Sequence, residues 1–183
     1  MKNIRDYMEK LWGLKISTSL IKFDKEVGYK KWYSNPIEVT NGIIEFIDFK
    51  DYDFLVINLD KSGLVCLDIE GHADSVSDFY EFLDKNRIAI SSLCVEKSMN
   101  DGLHIYFRND RHIPNTSWNE MGNIHYDILT KRAFTSPSAF NEKYYEWIHN
   151  PFADMKTTDD IPVVPRFMIQ LLENKEKYFT PKS

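Results

Sequence analysis

Hydrophobic residues recur at two spacings along the chain, one typical of amphipathic helices and the other of strands. Three segments have the helical spacing, and their apolar positions are Ile4, Tyr7, Met8 and Leu11, then Val76, Phe79, Phe82 and Leu83, then Phe167, Met168, Leu171 and Leu172. Gly13 is a suitable end for the first segment, Asp74 can cap the second, and Pro165 precedes the third. The pattern therefore predicts three helices.

Short apolar runs bounded by turn-forming residues predict strands between these helices. Residues 54–59 and 64–69 flank a turn-rich tetrapeptide, Asp60-Lys61-Ser62-Gly63, and are expected to form a β-hairpin. Residues 90–95 and 103–108 flank Asn100-Asp101-Gly102, which predicts a second hairpin. Further strands are expected near residues 124–129 and 133–135. This mixture indicates an α+β fold with a largely antiparallel sheet.

The amino-acid composition indicates a globular protein rather than a membrane or secreted one. With 43% hydrophobic and 14% aromatic residues, residues 1–183 are expected to form one globular domain. No apolar run is long enough to cross a membrane, and the first residues lack the apolar stretch of a secretory signal. A cytoplasmic protein without membrane contacts is therefore expected. Cys66 and Cys94 lie in apolar stretches and are expected to be buried, reduced thiols.

The formal net charge of -5 argues against indiscriminate binding to nucleic acid, because affinity for the phosphate backbone comes mainly from lysine and arginine. Contacts with DNA would have to be local. The basic positions proposed for such contacts are Lys30 and Lys31 beside Trp32, Arg108 near Arg111, and Lys131 with Arg132.

Alternation along the predicted strands separates polar from apolar side chains. Asp68 and Glu70 share the polar face of one strand, and His104 and Asp127 occupy the polar faces of two others. Carboxylates at the end of an apolar strand are costly unless water or cations neutralise them. Asp68, Glu70 and Asp127 could therefore hold a pair of Mg²⁺ or Mn²⁺ ions, which prefer carboxylate oxygen, and His104 could bind phosphate.

The order of these motifs resembles that of the primase-polymerase domains of phage and plasmid replication proteins, which belong to the archaeo-eukaryotic primase superfamily. The similarity covers roughly residues 50–150. Its motifs are Gly63-Leu-Val-Cys-Leu-Asp68-Ile-Glu70, then Ser98-Met-Asn-Asp-Gly102-Leu-His104, then Tyr126-Asp127-Ile128, followed by Ser136-Pro137-Ser138.

The resemblance implies a DNA primase or DNA polymerase that works with two Mg²⁺ or Mn²⁺ ions. It implies that the catalytic metal ligands are Asp68, Glu70 and Asp127, and that the incoming nucleotide contacts His104, Ser98, Asn100 and Gly102. Single-stranded or primed DNA and nucleoside triphosphates, ribo or deoxyribo, would be the substrates, and a replicative helicase is a candidate partner. The implied fold is an RRM-like sheet with an N-terminal α/β unit.

The chain departs from many relatives of that family at Leu129, where an arginine is common, and at Lys131-Arg132, where a glycine pair is common. Lys131 or Arg132 could supply the missing phosphate contact.

Two other functions stay open. One is a metal-dependent nuclease that uses the same acids, although no lysine stands in the usual relation to the second acid.

The other is a fold without catalysis that acts as a nucleic-acid-binding or helicase-binding module. In such a module tryptophans could stack on bases. The candidates are Trp12, Trp32, Trp118 and Trp147, most of which are expected in the core at this aromatic content.

Overall fold

The computed structural model describes residues 3–23, 35–149 and 155–173, and the backbone of residues 176–177. The described helices are α1 (Ile4–Gly13), α2 (Leu59–Ser62), α3 (Ser75–Lys85) and α4 (Arg166–Glu173). The described strands are β1 (Thr18–Ile21), β2 (Ile37–Glu38), β3 (Phe54–Asn58), β4 (Leu64–Ile69), β5 (Cys94–Lys97), β6 (Leu103–Arg108), β7 (Thr116–Met121), β8 (Ile124–Leu129), β9 (Arg132–Thr135), β10 (Ala139–Phe140), β11 (Lys143–Tyr144), β12 (Glu146–His149) and β13 (Glu176–Lys177).

The three helices predicted from apolar spacing are confirmed as α1, α3 and α4. The side chain of Asn3 caps α1 by accepting a hydrogen bond from the backbone N–H of Arg5 at 2.9 Å. Asp74 stands at the N-cap position of α3, but its side chain makes no capping hydrogen bond. No helix in the described part of the chain is both long and apolar enough to cross a membrane.

A large antiparallel sheet carries most of the strands, in the order β12-β5-β6-β4-β8-β7-β13. Strand β4 lies near its centre, between β6 and β8, and both pairings are antiparallel. The fold is therefore α+β with an antiparallel sheet, as the sequence predicts. The second predicted hairpin is also confirmed, because β5 pairs with β6. Strand β5 begins only at Cys94, since Ile90–Ser92 forms a 3₁₀ turn.

The first predicted hairpin is wrong. Strands β3 and β4 lie in different sheets, and β3 pairs with β1 and β9 in a smaller sheet of order β2-β1-β3-β9. Between them the chain forms the single turn α2 and then passes through Gly63, whose φ of 66° is left-handed. Every residue of β3 is buried. A strand that is covered on both faces does not show in its own sequence which strand it pairs with.

The large sheet is the middle layer of the fold. One of its faces packs against α3 and α4, through side chains that include Val65, Leu67, Phe79 and Phe167. The other face packs against α1 and the small sheet, through side chains that include Leu64, Cys66, Tyr106 and Leu55. Cys66 and Cys94 are buried free thiols, as expected. Both faces of β4 are therefore covered at its beginning, and its partly exposed residue, Asp68, comes near its end.

Candidate metal centre

Five side chains form a row across the large sheet, one from each of five adjacent strands. Cross-strand pairing aligns Trp147 with Glu96, Glu96 with His104, His104 with Asp68, and Asp68 with Asp127. Directly paired residues project from the same face of a sheet. We call Glu96, His104, Asp68 and Asp127 the polar row. It lies on the same face as Cys66, beside the small sheet.

Three carboxylates meet at one end of the polar row. Asp68, Glu70 and Asp127 each offer an oxygen, and these atoms all lie within 4.8 Å of one another. Glu70 follows β4 directly, and its backbone N–H donates to the carbonyl of His125 at 2.9 Å. All three residues are partly exposed. We call them the carboxylate cluster; the structure brings together the acids that the sequence predicts as metal ligands.

The carboxylate cluster has the electrostatics of a cation site. Partial burial raises the pKa of Glu70, and the negative charges of Asp68 and Asp127 raise it further. Attraction to His72 and His104 opposes this increase without reversing it. Because a bound divalent cation would relieve the repulsion and carboxylate oxygen is the ligand that Mg²⁺ and Mn²⁺ prefer, the residues fit such an ion.

His104 lies between two carboxylates and is only 4% exposed. Its Nε2 is 3.5 Å from Asp68 Oδ1, and its Nδ1 is 3.5 Å from Glu96 Oε1 and 3.0 Å from the carbonyl oxygen of Phe134. Burial, the largest single influence, lowers the pKa of His104, but the charges and hydrogen bonds of Asp68 and Glu96 together raise it to about 10. The two carboxylates therefore favour the charged form of the ring, and its contact with phosphate stays a prediction.

Glu96 is a buried residue of the site that the sequence analysis missed. Its carboxylate is fully enclosed and accepts hydrogen bonds from Tyr106 Oη at 3.2 Å, Thr135 Oγ1 at 2.8 Å and the Ser136 backbone N–H at 3.4 Å. The predicted strand ended at residue 95, one position too early to include it. An acid at even spacing from a buried cysteine, Cys94, was the signal that could have found it.

The predicted nucleotide-binding turn lies beside the carboxylate cluster. Within it, Ser98 Oγ accepts a hydrogen bond from the backbone N–H of Gly102 at 3.1 Å. A Cβ atom on Gly102 would overlap the carbonyl of Ile69, and one on Gly71 would overlap the carbonyl of Asn100. These two glycines therefore allow the turn to touch the backbone on either side of Glu70. The role of Gly71 was not predicted, and nucleotide contact stays a prediction.

Of the predicted basic residues, Arg108 lies away from the carboxylate cluster. Arg108 pairs with Leu64 at the far end of β4, and its Nε donates to the carbonyl of Ile161 at 2.8 Å. Lys131 and Arg132 are exposed where the chain enters β9. The first proposed basic segment, Lys30, Lys31 and Trp32, lies outside the described residues. Contacts of all these residues with DNA or nucleotide stay predictions.

Two histidines meet on the flank of Glu70, although they are far apart in the chain. His72 Nε2 lies 2.7 Å from His125 Nδ1, so one ring donates to the other. His125 Nε2 is 3.5 Å from Glu120. The sequence does not predict this pair, because the contact depends on β8 lying beside the end of β4.

Trp118 lies next to the carboxylate cluster in an irregular part of β7. The pairing register with β8 shifts between Thr116 and Asn119, which marks a β-bulge. Within it, Trp118 has a left-handed φ of 59°, and its backbone N–H donates to Asp127 Oδ1 at 2.7 Å. The residue is 58% exposed.

No protein-family model matches the chain, and a search of curated proteins finds no match either. The resemblance to primase-polymerases therefore stays a prediction from the motifs.

Proposed function

We propose that this protein is a metal-dependent nucleotidyltransferase that extends a nucleic-acid strand on a DNA template. It would act as a primase or polymerase in the replication of a phage, plasmid or other mobile element. The convergence of Asp68, Glu70 and Asp127, with oxygens within 4.8 Å of one another, carries this proposal. Two Mg²⁺ or Mn²⁺ ions are the proposed cofactors, and nucleoside triphosphates and primed DNA are the proposed substrates.

When bound, the divalent ions supply activation of the primer 3′-hydroxyl and stabilisation of the leaving pyrophosphate. In this proposal Asp68 and Asp127 hold them from neighbouring strands, and Glu70 closes the site from the end of β4. Strands give these ligands a rigid support, which favours accurate placement of the reacting groups.

His104 would contribute a fixed positive charge next to the metal ligands. Its Nε2 lies 3.5 Å from Asp68, so it can hold that carboxylate in one orientation. Its charge would also add to the attraction of a triphosphate towards the cluster. Glu96 lies behind the ring and would hold it in place, which makes Glu96 a positioning residue in this proposal.

The test is a primer-extension assay with a labelled primer on a template, all nucleotides, and Mg²⁺ or Mn²⁺. We expect extension by the parent protein and a loss of about a thousandfold or more in the Asp68→Ala, Glu70→Ala double variant, because the metal ligands are removed. The matched control is an Asp60→Ala, Glu81→Ala variant, which removes two exposed acids elsewhere and is expected to keep full activity.

Each result separates the candidate functions. A folded parent protein that does not extend or start strands with either metal would overturn the proposal. Binding of DNA without extension would then favour a module without catalysis. Metal-dependent shortening of the labelled strand, abolished in the double variant, would instead identify a nuclease that uses the same acids.

A further inference from the structure

Trp118 combines solvent exposure with a strained backbone. A φ of 59° is rare for residues other than glycine, asparagine and aspartate, and a large aromatic residue there costs free energy. Glycine would adopt the same conformation without that cost. Exposed tryptophans alone are common enough to need no explanation, but strained residues concentrate at functional sites. The combination therefore points to a role for the ring.

The backbone of Trp118 lies against a proposed metal ligand. Its N–H donates to Asp127 Oδ1 at 2.7 Å, and the N–Cα bond adds only about 1.5 Å. The Cα of Trp118 is therefore within about 4 Å of that carboxylate oxygen. The side chain is therefore attached to the backbone beside the carboxylate cluster, and more than half of the residue's surface is exposed to solvent.

Two other described tryptophans differ from Trp118 in their surroundings. Trp12 and Trp147 pack partly buried against the core that α1 and the small sheet form. The Trp147 ring also lies 5.8 Å from that of Tyr106, centroid to centroid. Packing against this core accounts for these two large side chains, as expected for most tryptophans at this aromatic content. Trp118 is more exposed than both.

We propose that Trp118 is a stacking platform for the base of a nucleoside triphosphate whose phosphates are held at the carboxylate cluster. This inference rests on the proposed function and adds the contact to the base. Only a sugar separates the phosphates of a nucleotide from its base, and the backbone that carries the ring contacts Asp127. Stacking accepts any base, because every base has an aromatic face. A platform of this kind suits an enzyme that must take all four nucleotides.

The test measures binding of dATP and of inorganic tripolyphosphate, each with Mn²⁺, by titration calorimetry. The variants are Trp118→Gly, which removes the ring and the backbone strain, and Trp118→Phe, which keeps an aromatic face. Phe46→Ala is the matched control, since Phe46 is 85% exposed and lies in a 3₁₀ turn outside the large sheet. Thermal melting of each variant shows whether it is folded.

We expect Trp118→Gly to weaken dATP binding by about fivefold or more, and Trp118→Phe to keep most of the affinity. Tripolyphosphate has no base, so its affinity should be the same in all variants. The melting temperature of Trp118→Gly should not fall, because glycine relieves the left-handed strain. A loss of affinity without a loss of stability is a result that a purely structural role would not produce.

Equal dATP affinity in the parent and Trp118→Gly overturns the stacking role and leaves the proposed function standing. Equal losses for dATP and tripolyphosphate also overturn it, since the effect would then act through Asp127. A parent protein that binds neither ligand in the presence of Mn²⁺ overturns the proposed function together with this inference.

Discussion

The two ends of the polar row compensate their charges in different ways. At one end, Glu96 and His104 are buried, and hydrogen-bond donors from β6 and β9 surround the carboxylate. At the other end, Asp68 and Asp127 are partly exposed and raise the pKa of Glu70 through their negative charge. The buried end carries its own counter-charge, whereas the exposed end gains from a cation supplied by solution. The buried end of the polar row thus stabilises the fold, whereas its exposed end is suited to binding a cation.

The largest effect that would test this comparison is the loss of stability when Glu96 is replaced. Glu96→Ala removes one of the two carboxylates beside His104 and the shared acceptor of three buried donors, so we expect a loss of about 3 kcal/mol or more in the free energy of unfolding. Glu70→Ala removes a carboxylate that the other two acids of the cluster repel. It should change the free energy of unfolding by no more than about 0.5 kcal/mol, or increase it. Urea denaturation without divalent ions measures both.

Glu96→Gln is the conservative control for this prediction. It keeps one acceptor oxygen, which can serve Thr135 or Tyr106 but not both, because these hydroxyls donate to different oxygens of Glu96. The charge is also lost, so the stability of Glu96→Gln should fall between those of the parent and Glu96→Ala. If Glu96→Ala and Glu70→Ala proved equally stable, the contrast between the buried end of the polar row and the carboxylate cluster would be wrong.

A smaller effect should follow from adding a divalent cation. A ligand that binds only the folded state at 100 times its dissociation constant stabilises it by about 2.7 kcal/mol. We therefore expect Mn²⁺ to raise the melting temperature of the parent protein. Glu70→Gln should lose most of this increase, because it removes one of three carboxylates, whereas Glu45→Gln, a change at an exposed acid outside the cluster, should keep it. An equal increase in all three proteins would place the ion elsewhere.

The smallest predicted effect concerns the contact between the turn at residues 98–102 and the end of β4. Gly71→Ala places a methyl group against the carbonyl of Asn100, so the two backbones must separate. We expect a loss of about 1 to 3 kcal/mol in the free energy of unfolding, measured by urea denaturation. Gly13→Ala is the matched control: its Cβ meets nothing within 4 Å in α1, and helix propensity should make it neutral or stabilising. Equal stability of the two variants would show that the turn does not depend on this close approach.

Local pattern was sufficient to predict the helices and the polar faces of three strands. Helices α1, α3 and α4 follow from apolar spacing, because a surface helix buries one stripe of side chains whatever it packs against. Alternation in β4, β6 and β8 correctly placed Asp68, His104 and Asp127 opposite the side chains that pack against α3 and α4, since a strand alternates by geometry alone. The acids of the carboxylate cluster could therefore be chosen before their positions in space were known.

Pairing between strands could not be read from the same pattern. The interpretation of β3 and β4 as one hairpin failed, because both are buried and a short turn-rich linker also fits a single helical turn followed by Gly63. Partner choice depends on contacts between residues far apart in the chain, such as Leu55 with Thr135 in the small sheet. Those contacts form only when the two sheets pack against each other.

The sequence alone was thus sufficient to predict the chemical types of the site residues, because alternation and acidity are local properties. Their surroundings depended on the tertiary structure. Packing of β9 against the large sheet encloses His104 and Glu96, and a β-bulge in β7 puts Trp118 beside Asp127. Burial and cross-strand neighbours set the charge balance of a site, and both arise only when distant segments meet.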